Sequence, residues 1–256
     1  MGVVDIRPRI NAIPAPADPV LPPVAEGASE RFLGVLMLDT RFPRPPGDIG
    51  HPGSFGVPVR HDIAAGAWPA KVVASAHALR TSGLLNTFCA QAIRLQREGA
   101  KAITTSCGFL VLLQRELQDA VSVPMVTSSL LQLPGLLEQQ SQVGVLTISA
   151  VHLGQEHFLA AGVPAERLDD CLVQGVDPSG EFAGAILANR ETMDLEKARA
   201  DVVGAALLLK ARAPHLRTVV LECTNMPPYA QAVREACGFE LRSLLDSRAL
   251  LECFGK

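Results

Sequence analysis

Strand and helix patterns alternate along almost the whole of this 256-residue sequence, and this alternation limits the folds that the chain can adopt. The apolar run FLGVLML at residues 32–38 is typical of a strand buried on both faces. Apolar residues at positions 84, 85, 88, 92 and 95 keep helical spacing. Because parallel strands are joined by crossover connections that are usually helices, the order predicts an α/β fold with parallel sheets covered on both faces.

The pattern begins a second time near residue 143. The tripeptide GVL at 34–36 corresponds to GVL at 144–146, and Cys107 corresponds to Cys223, each after a strand and before a helix. Any two strand–helix–strand units share this order, so a chance likeness is the alternative to an internal duplication. A duplication predicts two similar α/β halves that face each other, with a cleft between them. The predicted boundaries are a proline-rich arm at 1–29, a first half-domain at 30–137 completed by 238–256, and a second half-domain at 138–237.

Composition and motifs exclude several classes of function. Lys and Arg number 23 and Asp and Glu number 26, so there is no excess of positive charge to bind nucleic acid. The longest apolar stretches fall far short of the ~20 residues that a membrane helix needs. None of the six cysteines forms a C-x-x-C pair, which predicts free thiols in a reducing cytoplasm and no metal site. The sequence lacks the common dinucleotide and phosphate-binding motifs, and a homodimer is the default expectation for its assembly.

Cys107 and Cys223 are the strongest candidates for chemistry. Ligands of parallel sheets bind beyond the carboxyl ends of the strands, where both cysteines are predicted to lie. Free N–H groups at a helix N-terminus stabilise a thiolate, so we expect a lowered pKa for both thiols. The alternative is that each cysteine is a small buried hydrophobic residue, and we adopt that interpretation for the other four.

Three motifs carry a resemblance to a known family. They are L-x-x-D-T at 36–40, T-S-C-G-F at 105–109 and L-E-C-T-N-M-P at 221–227. They resemble the aspartate/glutamate racemase superfamily, which also contains hydantoin racemases, maleate isomerases and arylmalonate decarboxylases. The resemblance implies two similar three-layer α/β/α half-domains with parallel four-stranded sheets, related by a pseudo-twofold axis, with the active site in the cleft between them. It also implies catalytic cysteines at Cys107 and Cys223, and no metal or pyridoxal cofactor.

Departures from the superfamily's motifs bear on the substrate. Glutamate racemases have C-N-T and C-T-H where this chain has C-G-F and C-T-N, which argues against glutamate. The decarboxylases keep the second cysteine alone, so retention of both cysteines favours racemisation or epimerisation. We therefore predict a cofactor-independent racemase or epimerase of an amino acid, a hydantoin or a related carboxylic acid. One thiolate would remove the proton from Cα, and the other thiol would protonate the opposite face.

A set of backbone donors, hydroxyls and charged side chains is predicted to bind this small carboxylate substrate. Backbone N–H groups after each cysteine would stabilise the carbanion, hydroxyls lie at strand ends, and an arginine of the loop 41–60 would hold a second carboxylate. The resemblance implies a substrate position at the end of the first strand. The predicted residues are Asp39, Thr40, Arg41, Arg60, Gly108, Phe109, Thr127, Ser128, Thr147, Thr224 and Asn225.

Two other functions are compatible with the same residues. The scaffold could carry out cis–trans isomerisation of an unsaturated acid with Cys107 as nucleophile, or decarboxylation of a small dicarboxylic acid. It could also bind a small anion without turnover, because bilobal α/β proteins often serve that way. Paired cysteines favour an enzyme, since simple binding needs no thiols.

Overall fold

The computed structural model describes residues 31–255, so the proline-rich arm predicted at 1–29 lies outside the described residues. Two four-stranded parallel sheets form the centre of the molecule. Their strands are β1 Phe32–Leu38, β2 Val59–Ala64, β3 Ala100–Thr105, β4 Met125–Val126, β5 Val143–Thr147, β6 Cys171–Gly175, β7 Thr218–Leu221 and β8 Glu240–Arg242.

The two sheets have the same topology. Their strand orders are β2-β1-β3-β4 and β6-β5-β7-β8, and every neighbouring pair is parallel. Gly34 of β1 lies opposite β3, and Gly144 of β5 lies opposite β7. Cys107 follows β3 and Cys223 follows β7, each with one residue between the strand and the cysteine. The predicted fold class is confirmed, and the two cysteines occupy equivalent positions in the two halves.

Helices cover the sheets, and the longer ones agree with the sequence pattern. Leu84, Phe88, Ala92 and Leu95 form the buried face of a helix that is followed by Gly99 at a φ of 105°. None of the described helices is long and apolar enough to cross a membrane. The helices are α1 Pro69–Val73, α2 Ala76–Thr81, α3 Leu84–Arg97, α4 Gln114–Asp119, α5 Leu133–Gln139, α6 Gln155–Ala160, α7 Glu181–Leu187, α8 Leu195–Arg212, α9 Ala230–Cys237 and α10 Arg248–Leu251.

The segments after the two cysteines are not regular α-helices at their start. The helical segment after Cys107 begins as a 3₁₀ helix, Gly108–Leu113, whose six residues are all buried, and it becomes α-helical at α4. After Cys223 the chain forms a 3₁₀ turn, Pro227–Tyr229, before α9 begins. Both cysteines are therefore followed by short, irregular helical turns.

The C-terminal segment is divided between the two halves. The predicted boundary assigned residues 238–256 to the first half-domain, but β8 pairs with β7 in the second sheet. Beyond β8, Leu244 and Leu250 pack with Leu33 and Val35 of β1 in a small cluster on one face of the first sheet. The division between the halves thus falls after β8. The larger core cluster includes apolar residues of both halves.

Candidate active site

The strands place the two cysteines at the same edge of their sheets. Beyond β3, the Ser106 N–H donates to the Leu36 carbonyl at 3.0 Å, and the Ser106 Oγ accepts from the Leu38 N–H at 2.9 Å. In the second half, the Glu222 N–H donates to the Leu146 carbonyl at 2.8 Å. Ser106 and Glu222 are therefore structural counterparts. Each extends the sheet by one hydrogen bond before the chain turns at the cysteine.

A hydrogen bond between the halves fixes the two cysteine segments relative to each other. The Thr224 hydroxyl, next to Cys223, donates to the Ser106 carbonyl, next to Cys107, at 2.7 Å. Both groups are buried, so this bond is shielded from competition by water. The bond fixes the residue that precedes Cys107 relative to the residue that follows Cys223.

Both thiols line a single cavity of about 360 Å³, a volume that includes its open mouth. Cys107 is 8% exposed and Cys223 is 6% exposed. The lining is largely apolar, and among the described residues that form it the charged side chains are Arg44 and Glu222. Within residues 31–255, no three His, Cys, Asp or Glu side chains come close enough together to form a metal site. The lining residues are Leu38, Thr40, Phe42, Arg44, Pro69, Val73, Ser106, Cys107, Gly108, Phe109, Ile148, Ile186, Leu187, Glu222, Cys223, Thr224 and Asn225.

The pKa values of the two thiols are raised, which is opposite to the sequence-based expectation. Burial, reinforced by the nearby Glu222 carboxyl, raises the pKa of Cys107 to about 12, although Arg44 and two backbone N–H groups act in the other direction. Burial and Glu222 also raise the pKa of Cys223 well above its usual value. The helical turns after the cysteines are short, so their N–H groups do not outweigh the cost of burying a thiolate.

Glu222 is fully buried between the cysteine segments. Its Oε2 accepts a hydrogen bond from the Thr147 hydroxyl at 2.7 Å, and its Oε1 has no hydrogen-bond partner among the described residues. Burial raises the pKa of Glu222 to about 8, although the Thr147 hydrogen bond opposes that shift. Gly108 packs directly against it, because a Cβ at position 108 would overlap the Glu222 carboxylate and carbonyl oxygens. The position of Glu222 therefore leaves no room for a side chain larger than that of glycine at position 108.

Arg44 brings a positive charge to the cavity. Its Nη1 donates to the Asp48 Oδ1 at 2.8 Å, and its Nη2 donates to the Thr40 Oγ1 at 2.7 Å. The guanidinium carbon lies 4.3 Å from the centroid of the Phe42 ring. Its Nε is buried and has no partner among the described residues. The side chain is thus held in place at the cavity, and its Nε lies beside Gly50, where a Cβ would be 3.0 Å from it.

Asp48 connects Arg44 to the second cysteine. Its side chain is 2% exposed, and its Oδ2 accepts from the Asn225 Nδ2 at 2.7 Å. The Cys223 thiol in turn donates to the Asn225 Oδ1 at 3.7 Å. This bond favours the protonated thiol. The loop that carries Asp48 also binds the second half through the Ile49 N–H, which donates to the Thr224 carbonyl at 3.3 Å.

The structure brings part of the predicted substrate-binding set together. Thr40, Gly108, Phe109, Thr224 and Asn225 line the cavity with the two cysteines.

The remaining predicted residues lie outside the cavity because other groups use their side chains. The Asp39 Oδ2 accepts from the Gly66 N–H at 2.9 Å. Arg41 is exposed, and its Nη1 lies 3.8 Å from the Glu191 Oε1. Arg60 lies over the Phe32 ring at 4.2 Å.

The three predicted hydroxyls at strand ends are also engaged in internal hydrogen bonds. The Thr127 Oγ1 donates to the Gln114 Oε1 at 2.7 Å, and the Ser128 Oγ accepts from the Leu130 N–H at 3.2 Å. The Thr147 Oγ1 holds Glu222 instead of a ligand. These three hydroxyls therefore hydrogen-bond to groups near the strand ends and to the buried Glu222 carboxyl.

Arg44 and Glu222 are cavity residues that were not singled out from the sequence. Arg44 is one of several charged residues in the loop 41–60, and nothing in the sequence distinguishes the arginine that turns inward. Glu222 carried a signal, because an acidic residue that ends the apolar run VVL is an unusual occupant of a buried strand end.

Comparisons with known proteins agree with this architecture. No family model matches the sequence. A dimethylsulfoniopropionate lyase of Durusdinium sp. clade D is 31% identical over 227 residues, which cover 84% of this chain and 72% of that protein. Dimethylsulfoniopropionate lyases 5 and 3 of Emiliania huxleyi are 27% and 28% identical, covering 80% and 86% of this chain. The chain spans 41% and 61% of the lengths of these two relatives.

Solved structures show the same fold at low sequence identity. A glutamate racemase of Bacillus anthracis has a TM-score of 0.54 at 15% identity, over 89% of this chain and 84% of that one. An aspartate racemase of Picrophilus torridus has a TM-score of 0.52 at 12% identity, over 88% and 95%. A variant of arylmalonate decarboxylase has a TM-score of 0.51 at 16% identity, over 82% and 86%. The chain therefore has the fold of these racemases and of arylmalonate decarboxylase, and it belongs to the family of the dimethylsulfoniopropionate lyase of Durusdinium.

Proposed function

We propose that this chain is a lyase that removes the proton next to the carboxylate of dimethylsulfoniopropionate, or a close analogue, and expels dimethyl sulfide from the β-carbon. The observation that supports the proposal best is the shared cavity, which is lined by one buried thiol from each half and by Arg44. The relatives named dimethylsulfoniopropionate lyase support the choice of substrate. This reaction needs an acceptor for one proton and an anchor for one carboxylate.

Arg44 is the anchor for the carboxylate. Its hydrogen bonds to Asp48 and Thr40 fix the guanidinium before a ligand arrives, and its Nε keeps a donor without a partner. A buried, charge-assisted hydrogen bond to a carboxylate is stronger than one between neutral groups. The apolar lining, which includes Val73 and Ile148, suits the two methyl groups of the substrate.

Cys107 is the base. Glu222 raises the pKa of both thiols, but Arg44 acts to lower the pKa of Cys107. Cys223 instead donates its S–H to Asn225 and lies near Asp48, and both of these favour its neutral form. The bound sulfonium cation adds a second positive charge that stabilises the Cys107 thiolate. A thiol with a high intrinsic pKa is also a stronger base once it has ionised.

The elimination balances in atoms and electrons. The Cys107 thiolate takes the α-proton, and the C–H electron pair forms the double bond between Cα and Cβ. The Cβ–S bond breaks, and its electron pair leaves with dimethyl sulfide. The products are acrylate, dimethyl sulfide and a protonated thiol, which returns its proton to solvent. The reaction consumes no oxidant or reductant.

The predicted racemase activity is the second candidate, and it rests on the same two thiols. Inversion of a carbon in both directions needs an acid and a base that exchange roles. The surroundings of the two thiols differ here, because Ser106, Gly108 and Phe109 on one side correspond to Glu222, Thr224 and Asn225 on the other. This asymmetry favours a reaction with one direction of proton transfer.

The test is a substrate panel in heavy water. Purified protein is incubated with dimethylsulfoniopropionate, with chiral amino acids and with hydantoins. Dimethyl sulfide is measured in the headspace, and acrylate and α-deuterium are measured by NMR. We expect dimethyl sulfide and acrylate in equal amounts. Inversion of a chiral substrate with deuterium uptake, and no dimethyl sulfide, would establish the racemase instead.

A further inference from the structure

Glu222 is the one acidic side chain among the described residues that line the cavity. No cationic side chain among residues 31–255 forms an ion pair with it, and its Oε1 has no hydrogen-bond partner in that range. An unpaired carboxyl that is removed from water is unfavourable for folding. We therefore expect this carboxyl to interact with a bound ligand.

The counterpart of Glu222 in the first half shows that a carboxyl is not needed at this strand end. Ser106 occupies the equivalent position, and its small hydroxyl accepts from the Leu38 N–H of the adjacent strand. The Glu222 N–H makes the equivalent backbone bond to Leu146 without its side chain. The carboxyl of Glu222 instead extends to Thr147 and to the space beside Gly108.

The charges of the cavity match a ligand that carries both signs. Arg44 supplies one positive group, and Glu222 supplies a carboxyl that becomes negative when it ionises. Both side chains act on the pKa of the Cys107 thiol. The rest of the lining is largely apolar, so a charged ligand gains little from other side chains. A compact zwitterion satisfies both groups at once.

We propose that Glu222 determines specificity by holding the cationic group of the substrate, so that the site takes carboxylates with an onium group near the carboxylate and disfavours their neutral isosteres. This inference rests on the proposed function for the identity of the cation, a sulfonium. Before a ligand binds, the Glu222 carboxyl is protonated at neutral pH, because burial raises its pKa to about 8. A bound cation stabilises the ionised form, and the carboxyl then loses its proton.

Because cation binding is coupled to ionisation of Glu222, the affinity for a cationic ligand should rise as the pH rises. The groups that face Glu222 are the Cys107 and Cys223 thiols and the Thr147 hydroxyl, and the pKa values of both thiols lie above the range of the assay. Raising the pH from 6 to 8 takes the ligand-free Glu222 carboxyl from almost fully protonated to about half ionised, because its pKa is about 8. Binding of a cationic ligand should therefore strengthen by more than about tenfold over this range. Binding of a neutral isostere does not gain from this ionisation.

The experiment uses two ligands that cannot undergo β-elimination. Dimethylsulfonioacetate and 3-methylbutanoate have the same shape and one carboxylate, and they differ in the positive charge. Their dissociation constants are measured by calorimetry on the wild-type chain and on Glu222→Gln, at pH 6, 7 and 8. At pH 8 we expect the wild type to prefer the sulfonium by at least about tenfold and E222Q to bind both ligands similarly.

The outcomes separate this inference from the proposed function. Undiminished preference for the sulfonium in E222Q, or no preference in the wild type, would overturn the role of Glu222. Binding of 3-methylbutanoate by E222Q shows that the variant has folded with an intact site. If E222Q does not fold, the pH dependence of ligand binding by the wild type tests the inference. A wild-type preference for the sulfonium over 3-methylbutanoate that stays constant from pH 6 to 8 would overturn it. Release of dimethyl sulfide from dimethylsulfoniopropionate is assayed separately and tests the lyase alone.

Discussion

Replacement of Glu222 by glutamine should change how the stability of the fold depends on pH. The fully buried carboxyl has a pKa of about 8 in the folded chain, against 4.5 as its ordinary value. Between these two values the folded state holds a proton that the unfolded state has lost. The free energy of unfolding therefore falls as the pH rises, by ~1.4 kcal/mol per pH unit from this one group. Below pH 4.5 the protonated Glu222 carboxyl makes its full contribution to the free energy of unfolding, and above a pH of about 8 that contribution is lost.

The magnitude over an accessible range is about 3 kcal/mol between pH 5 and pH 8. The variant E222Q cannot lose a proton at this position, so its unfolding free energy should decline less steeply by this amount. The amide can keep a hydrogen bond to the Thr147 hydroxyl, so the comparison isolates the titration rather than the loss of that contact. Cys107 and Cys223 do not interfere, because their raised pKa values act at higher pH.

The assay is denaturant unfolding at a fixed temperature and at each pH unit from 5 to 8, on the wild type and E222Q. Glu138→Gln, at an exposed position of α5, controls for the removal of one glutamate. The difference between wild type and E222Q should shift by about 3 kcal/mol in favour of the variant as the pH rises. Parallel pH profiles for the two proteins would refute the assignment of a protonated carboxyl at this position.

Two further substitutions test the anchor and the packing of the site. Arg44→Lys should weaken binding of 3-methylbutanoate, measured by calorimetry, by about tenfold to a hundredfold, because lysine cannot bond Asp48, Thr40 and a ligand in the same geometry. Arg115→Lys, on the exposed surface of α4, should leave the affinity unchanged, and equal effects of the two changes would contradict the anchor. Gly108→Ala should lower both the melting temperature and the lyase rate, because the new Cβ overlaps Glu222. Gly135→Ala, where a Cβ meets nothing within 4 Å, is its matched control, and a neutral G108A would contradict the close packing at Glu222.

The fold was predictable from the sequence because long apolar runs and helical spacing determine the core elements. The strand at Phe32–Leu38 has the bounds of the apolar run, and the helix at Leu84–Arg97 contains the apolar residues whose spacing predicts it. The short helices α1, α2 and α5 were not predicted. They have five, six and seven residues, too few to repeat a 3.6-residue period clearly. Their formation depends on tertiary packing.

The candidate site was predictable only in part. The cysteines follow equivalent strands, so the topology alone places them at one edge. The direction of the thiol pKa shift was wrong, because a sequence shows the position of a cysteine beside a helix but not the depth of its burial. The inward turn of Arg44 depends on its bonds to Asp48 and Thr40, which the folded loop creates. Hydroxyls at strand ends, such as Thr127, were assigned to the ligand although the fold uses them internally.

The most direct test of the account is the rate of dimethyl sulfide release by Cys107→Ser. A serine hydroxyl is nearly isosteric with the thiol but does not form an effective base at neutral pH. We expect a loss of about a hundredfold to ten-thousandfold in the rate, which is typical of removing a general base. The variant should still bind dimethylsulfonioacetate, and Cys89→Ser on α3, outside the cavity, should retain the wild-type rate. Release of dimethyl sulfide by C107S at the rate of the wild type would contradict the central claim that this thiol takes the α-proton.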